Sequence, residues 1–178
     1  YLGVYDTFAD GDTRSNASVQ MFNRVDAWVQ TIQKESTAYA KEKKAHDIIC
    51  EYVEYEEGTY DQTAYSAVMQ KKTVCAGYAK LYSMLTNAAG LETVSVTSAT
   101  HGWNRTKLGN QWYNVDLTWD DGTPISYQFF NKSDATMEKY DGSSRESHTQ
   151  NHYYDGVAPG CESDYGASVT VVDAEQIH

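Results

Sequence analysis

The stretch Thr73-Val74-Cys75-Ala76-Gly77-Tyr78-Ala79, followed by His101-Gly102-Trp103-Asn104 and then by Trp112-Tyr113-Asn114-Val115-Asp116-Leu117-Thr118-Trp119-Asp120-Asp121, decides how this chain is read. It presents, in order, a thiol, an imidazole and a carboxylate, the parts of a site that moves an acyl group through a thioester. Cys75 stands where an apolar stripe begins: Tyr78, Leu81, Tyr82, Leu85 and Ala88 recur at helical spacing, and Gly90 follows as a C-terminal cap. The first turn of a helix carries unpaired backbone N–H groups and the positive end of the macrodipole, so negative charge is favoured there. Gly77, with small Ala76 and Ala79, leaves room for a substrate or another backbone to approach. An isolated helix cysteine is usually buried and inert; the two later segments are what turn Cys75 into a candidate nucleophile.

Past that helix the apolar period changes from helical to alternating. Residues 93–98, 102–108, 111–116 and 126–130 read as strands. Gly109-Asn110 is a two-residue hairpin signal, so strand partners should have numbers summing to 219. Trp103 then faces Asp116, and His101 faces Thr118. His101 and Asp116 become diagonal neighbours on one face, about 7–8 Å apart between backbones and within side-chain reach. Leu108, Tyr113, Val115 and Leu117 take the opposite face. A three-residue loop would send His101 and Asp116 to opposite faces.

Upstream, Val19, Phe22, Val25, Val29 and Ile32 predict a helix over 18–35. Ile48, Ile49, Tyr52 and Val53 form the apolar side of a second over 37–54, and a short helical turn is expected over 61–69. Residues 134–165 read as a polar, loop-like segment, with a last strand at 169–172. Helices first and strands later describe an α+β domain. No repeat or linker interrupts the 178 residues, so 1–178 is expected to be a single domain. The composition is that of a globular protein, 40% hydrophobic and 22% charged. Its net charge of −11 argues against nucleic acid or an anionic membrane as partner. No apolar run is long enough for membrane insertion. The fifteen Tyr against four Phe are read as amphipathic packing residues.

The three segments resemble the core of the transglutaminase-like family, whose members carry Cys in a VCxGYA helix start, His in HAWN and Asp in WYxVDxTWDD. The resemblance covers about residues 45 to 134 and looks bacterial. It implies a cysteine-protease-like fold, with helices packed on an antiparallel sheet and Cys75 at the N-terminus of a central helix. Gly102 replaces the usual Ala after His, and Thr73 a common Gly before Val-Cys; neither removes a reacting group.

The chemistry then assigns Cys75 as thiol nucleophile, His101 as base and later acid, and Asp116 as the orienter of the imidazole. The backbone N–H of Cys75 is one oxyanion donor; Tyr60, Tyr65 and Gln70 are unranked candidates for the second. Trp103 and Trp119 are expected to wall the site or touch substrate. The expected activity is acyl transfer on a protein or peptide amide, with hydrolysis favoured over amine-accepting cross-linking. A non-catalytic module that holds peptides or cell-wall polymers is the alternative from another class.

No cofactor and no metal are expected. Asp120-Asp121-Gly122 is a turn signal without a complete calcium loop, and the same holds for Asp6, Asp10 and Asp12. His148 and His152, four apart in polar surroundings, read as a solvated pair. Three Asn-x-Ser/Thr triplets, at Asn16, Asn104 and Asn131, are discounted as glycosylation sites. The resemblance to secreted bacterial members, with Cys50 and Cys161 left as an even pair, implies a disulfide. It would close a loop of about 110 residues, worth about 4–5 kcal/mol. That bridge and the start at Tyr1 lead to the expectation of a piece of a longer extracellular or cell-surface protein.

Overall fold

Asp10 opens the first long helix by accepting the Thr13 N–H on its side chain (2.7 Å), so α1 runs Gly11–Ile32 and begins earlier than its apolar stripe suggests. The computed structural model describes residues 5–142, 148–150 and 158–166. Of the α1 stripe, Val25, Val29 and Ile32 enter the core, while Val19 and Phe22 remain exposed. Thr37 caps α2 (Ala38–Tyr52) in the same way, accepting from the Ala40 N–H. A wide helical turn, Ser66–Gln70, stands where one was expected. Cys75 is the first residue of α3 (Cys75–Ala88), and Gly90 follows with φ +92°, the left-handed conformation a helix end needs.

The two-residue strands β1 (Glu54–Tyr55) and β2 (Lys72–Thr73) pair in parallel, so the chain entering Cys75 is held by a short ladder. The main sheet is antiparallel in the order β3 (Glu92–Thr97), β4 (Gly102–Leu108), β5 (Gln111–Val115), β6 (Phe130–Lys132). The β4–β5 register pairs Asn104 with Val115 and Leu108 with Gln111, the sum of 219 that a two-residue turn at Gly109-Asn110 demands. Strand β5 stops one residue short of the expectation. Asp116 accepts the N–H groups of Thr118 (2.9 Å) and Trp119 (3.4 Å) and caps the short α4 (Leu117–Asp120), so Thr118 is helical and does not face His101 across a ladder.

Helix α3 packs on one face of the sheet. Tyr78, Leu81, Tyr82 and Leu85 join Val25, Val29, Ile32, Ala45, Ile49 and Val115 in the main core. Asn104 fastens that contact from β4, donating to Ala79 O (3.0 Å) and Ser83 Oγ (2.8 Å). A smaller cluster of Val96, Trp103, Phe129 and Met137 covers the opposite face.

The region expected to be loop-like begins with a helix. Ser133 caps a helix α5 (Asp134–Asp141), and Met137 from it is buried. The strand expected at 126–130 lies instead at Phe130–Lys132. The strand expected at 169–172 lies outside the described residues.

Candidate active site

The hairpin brings His101 and Asp116 together as its parity requires. His101 Nε2 lies 2.6 Å from Asp116 Oδ2, with both side chains buried. The Cys75 thiol, at the start of α3 and half-buried, acts on the same imidazole. With Nε2 given to Asp116, the Nδ1 side is the one presented to the thiol. Burial works against the charged imidazole, yet the bond to Asp116 and the neighbouring Cys75 outweigh it and raise His101 to about 10. For Asp116 burial works upward, and the bonds from His101 and a second imidazole, that of His148, prevail and lower it to about 2.

Gly77 explains how α3 sits so close to the strand before it. A Cβ built there would fall 1.7 Å from Thr73 Oγ1 and 2.9 Å from the Thr63 carbonyl oxygen. Thr73 is itself fully buried, its hydroxyl donating to Asp61 O (2.6 Å) and accepting from Ser66 Oγ (2.9 Å). Thr73, at the family's common Gly position, therefore occupies the space that Gly77 leaves empty. The approach expected at Gly77 is made by this protein's own chain.

The tryptophans separate by role. Trp103 is 1% exposed, lies parallel to the His101 ring at 6.1 Å, and donates its Nε1–H to Asn114 Oδ1 (2.9 Å). Of the two roles expected of it, wall or substrate contact, its burial fits the wall, behind the imidazole. Trp119, partly exposed, flanks His101 at 6.1 Å. Tyr60 and Tyr65 pack with Phe8, and the Tyr60 hydroxyl donates to Thr7 Oγ1 (2.7 Å), while Gln70 is exposed.

His148 does correct an expectation. It is buried, not solvated; its Nε2 lies 2.8 Å from Asp116 Oδ2, and its Nδ1 bonds Asp141. His152 lies outside the described residues. Nothing in the polar residues around His148 signals this placement, because the contact spans 32 positions of chain. Among the described residues, His101, Asp116 and His148 also form a group that could offer ligand atoms to a metal, all within 4.8 Å. As placed, those atoms are joined directly by the 2.6 and 2.8 Å hydrogen bonds. Ligands that share a tetrahedral zinc with bonds of about 2.0–2.1 Å lie about 3.3 Å apart, so holding an ion would require these three side chains to spread.

The acidic pair after Trp119 is structural. Asp120 accepts the Phe129 N–H on Oδ1 (2.9 Å), and its Oδ2 faces His46 Nε2 (3.2 Å), while Asp121 accepts the Tyr78 hydroxyl. Asn104 and Asn131, in two of the glycosylation triplets, are buried.

The expected disulfide is not formed: Cys50, Cys75 and Cys161 are all free thiols. Cys50 is buried on α2 against His46 Nε2 (4.0 Å) and Leu117 O (3.9 Å). Cys161 is buried elsewhere, its backbone N–H donating to Asp134 Oδ2 (3.1 Å). Burial pushes both thiols up, Cys161 to about 12. The argument for an oxidising compartment falls with the bridge.

The Transglutaminase-like superfamily model matches residues 26–117, just over half of the chain. No curated protein matches the sequence. Among solved structures, a TGase crystal structure is similar at 15% identity and a TM-score of 0.49, over 65% of this chain and 35% of that one. A candidate cysteine protease from Cytophaga hutchinsonii is similar at 20% identity and a TM-score of 0.44, over 65% of this chain and 45% of that one. The chain thus spans less than half the length of either.

Proposed function

The chain belongs to the transglutaminase-like superfamily, and from that premise we propose that it is a thiol acyl-transfer enzyme that hydrolyses protein or peptide amides through Cys75, His101 and Asp116. The observation that carries the reading is the buried His101 ring joined to Asp116 at 2.6 Å, with the Cys75 thiol among the groups that favour its charged form.

Cys75 passes its proton to His101, and Sγ attacks the amide carbon. The C–S bond forms as the carbonyl pair moves onto oxygen, and that oxyanion takes the backbone N–H of Cys75, which has no partner within its own helix at that first position. As the C–O double bond reforms, the C–N bond breaks and the amine leaves with the proton from His101. Water then attacks the thioester, gives its proton to His101, and the thiolate departs. Asp116 holds the imidazole in one tautomer and stabilises its charged form throughout. Partial exposure of Cys75 gives water, the acceptor hydrolysis needs, access to the thioester.

The test is the rate at which iodoacetamide labels each cysteine at neutral pH. Exposure alone favours Cys75 over buried Cys50 and Cys161, so the decisive comparison is with His101→Ala. Labelling of Cys75 should slow markedly in that variant; an unchanged rate rejects an activated thiol.

A further inference from the structure

His148 reaches the site from a segment that the triad does not include. Its ring is fully buried and walled by Trp119, Trp103 and Phe129, with centroids at 5.0, 5.1 and 5.8 Å. Both ring nitrogens face carboxylates: Nε2 donates to Asp116 Oδ2 (2.8 Å), and Nδ1 bonds Asp141 Oδ1. Asp141 ends α5, and its other oxygen accepts the His148 backbone N–H (2.8 Å), so side chain and backbone are fastened to one residue.

The flanks of this segment are fastened too. Arg105, buried on β4, donates to Gln150 Oε1 (2.8 Å), Pro159 O (2.6 Å) and Asp134 Oδ1 (2.8 Å). Burying a guanidinium is costly unless its N–H groups are satisfied. Here three of its bonds go to α5 and to the chain on either side of 151–157.

The load on Asp116 shows what this achieves. Oδ1 accepts two backbone N–H groups at the start of α4, and Oδ2 accepts two imidazoles. A carboxylate held at both oxygens has one orientation available, which is what an orienting carboxylate needs.

We propose that His148 is a positioning residue of this site, which, backed by Asp141, pins Asp116 so that it holds His101 in line with Cys75. The inference rests on the triad reading above. Its competitor is a His148 that merely fills the aromatic nest.

Two substitutions separate the roles: His148→Gln keeps an N–H donor, and His148→Phe keeps the ring but loses the donor. Three readouts apply to each, namely the iodoacetamide rate at Cys75, the imidazole N–H proton resonances after 15N-histidine labelling, and the thermal midpoint. His148→Gln should label within about threefold of the unaltered protein, and His148→Phe should slow by about tenfold or more. The His101 Nε2–H resonance should persist in the first and shift or vanish in the second. A folded His148→Phe that labels as fast as His148→Gln, with the His101 resonance in place, overturns the proposal. If His148→Phe does not fold, Asp141→Ala serves, since it releases Nδ1 and leaves the nest filled; an unmoved His101 resonance there overturns it equally. A Cys75 rate indifferent to His101→Ala defeats the triad reading instead, and the resonances still report whether His148 holds Asp116.

Discussion

His46 on α2 and Asp120 at the end of α4 face each other at 3.2 Å, Nε2 to Oδ2, with both side chains fully buried. Burial lowers the charged form of His46, but the bonds to Asp120 and Asp47 prevail and hold it well above the ordinary histidine range. The pair ties α2 to the four-residue helix that Asp116 caps, so it braces the site from behind. Asp120→Ala would leave His46 buried with a lost partner and free the Phe129 N–H. The expected loss is about 3–5 kcal/mol, read as a lower urea midpoint. A loss below 1 kcal/mol would show that the pair is no brace.

Asp116 has two tasks, and substitutions should divide them. Asp116→Asn keeps an oxygen for the Thr118 and Trp119 N–H groups, whereas Asp116→Ala also removes the cap, at about 1 kcal/mol. Both should abolish most amide hydrolysis, but only Asp116→Ala should lower the melting temperature through α4. Combined with Cys75→Ala or His101→Ala, either should cost far less than the product of the single effects. Full multiplicativity would contradict a shared site.

Glu42 and His101 give stability two pH windows. Burial raises Glu42 to about 7 against the bonds from Asn131 and Tyr82. Its folded value exceeds the unfolded 4.5, so the folded state binds the extra proton, and stability falls as pH rises from 4.5 through 7. Relative to Glu42→Gln, the protein should lose about 3 kcal/mol across that window. His101 is raised in the same sense, from 6.5 to about 10; its contribution is full below 6.5 and is lost towards 10. Urea titrations at successive pH values check both, and His101→Ala should make only the alkaline limb shallower, with His46 keeping its share of it.

Gly77→Ala should cost about 1–3 kcal/mol, since the new methyl meets Thr73 and the Thr63 carbonyl oxygen. Thr73→Gly should restore part of the loss, because the backbone oxygen stays. Full rescue would mean that the Thr63 oxygen yields freely. Thermal melts of the single and double variants decide it.

Mass measurement after alkylation of the denatured, unreduced protein should show three modified cysteines. A single modified cysteine would establish the Cys50–Cys161 bridge against the structure.

Much of the site was legible because its rules are local. Gly109-Asn110 sets a two-residue turn; the turn sets the 219 register; the register puts His101 and Asp116 on one face. Cys75 at a helix start followed from the stripe beginning at Tyr78. The errors lie where polarity stood in for exposure. The 134–165 segment reads as loop, yet Ser133 caps a helix there and Arg105 holds Gln150 and Pro159. Val19 and Phe22 err the other way, apolar and helical but exposed.

The sequence by itself determined the family, the α+β order, the hairpin parity and the three residues proposed to react. Each of these depends on spacing over a few residues or on a motif. Only the tertiary structure decided that His148 shares Asp116 with His101, that Glu42 and His46 are buried, and that Cys50 and Cys161 stay apart. Those outcomes depend on which distant segments meet, and a polar side chain enters the interior only when a partner from elsewhere in the chain waits there to satisfy it.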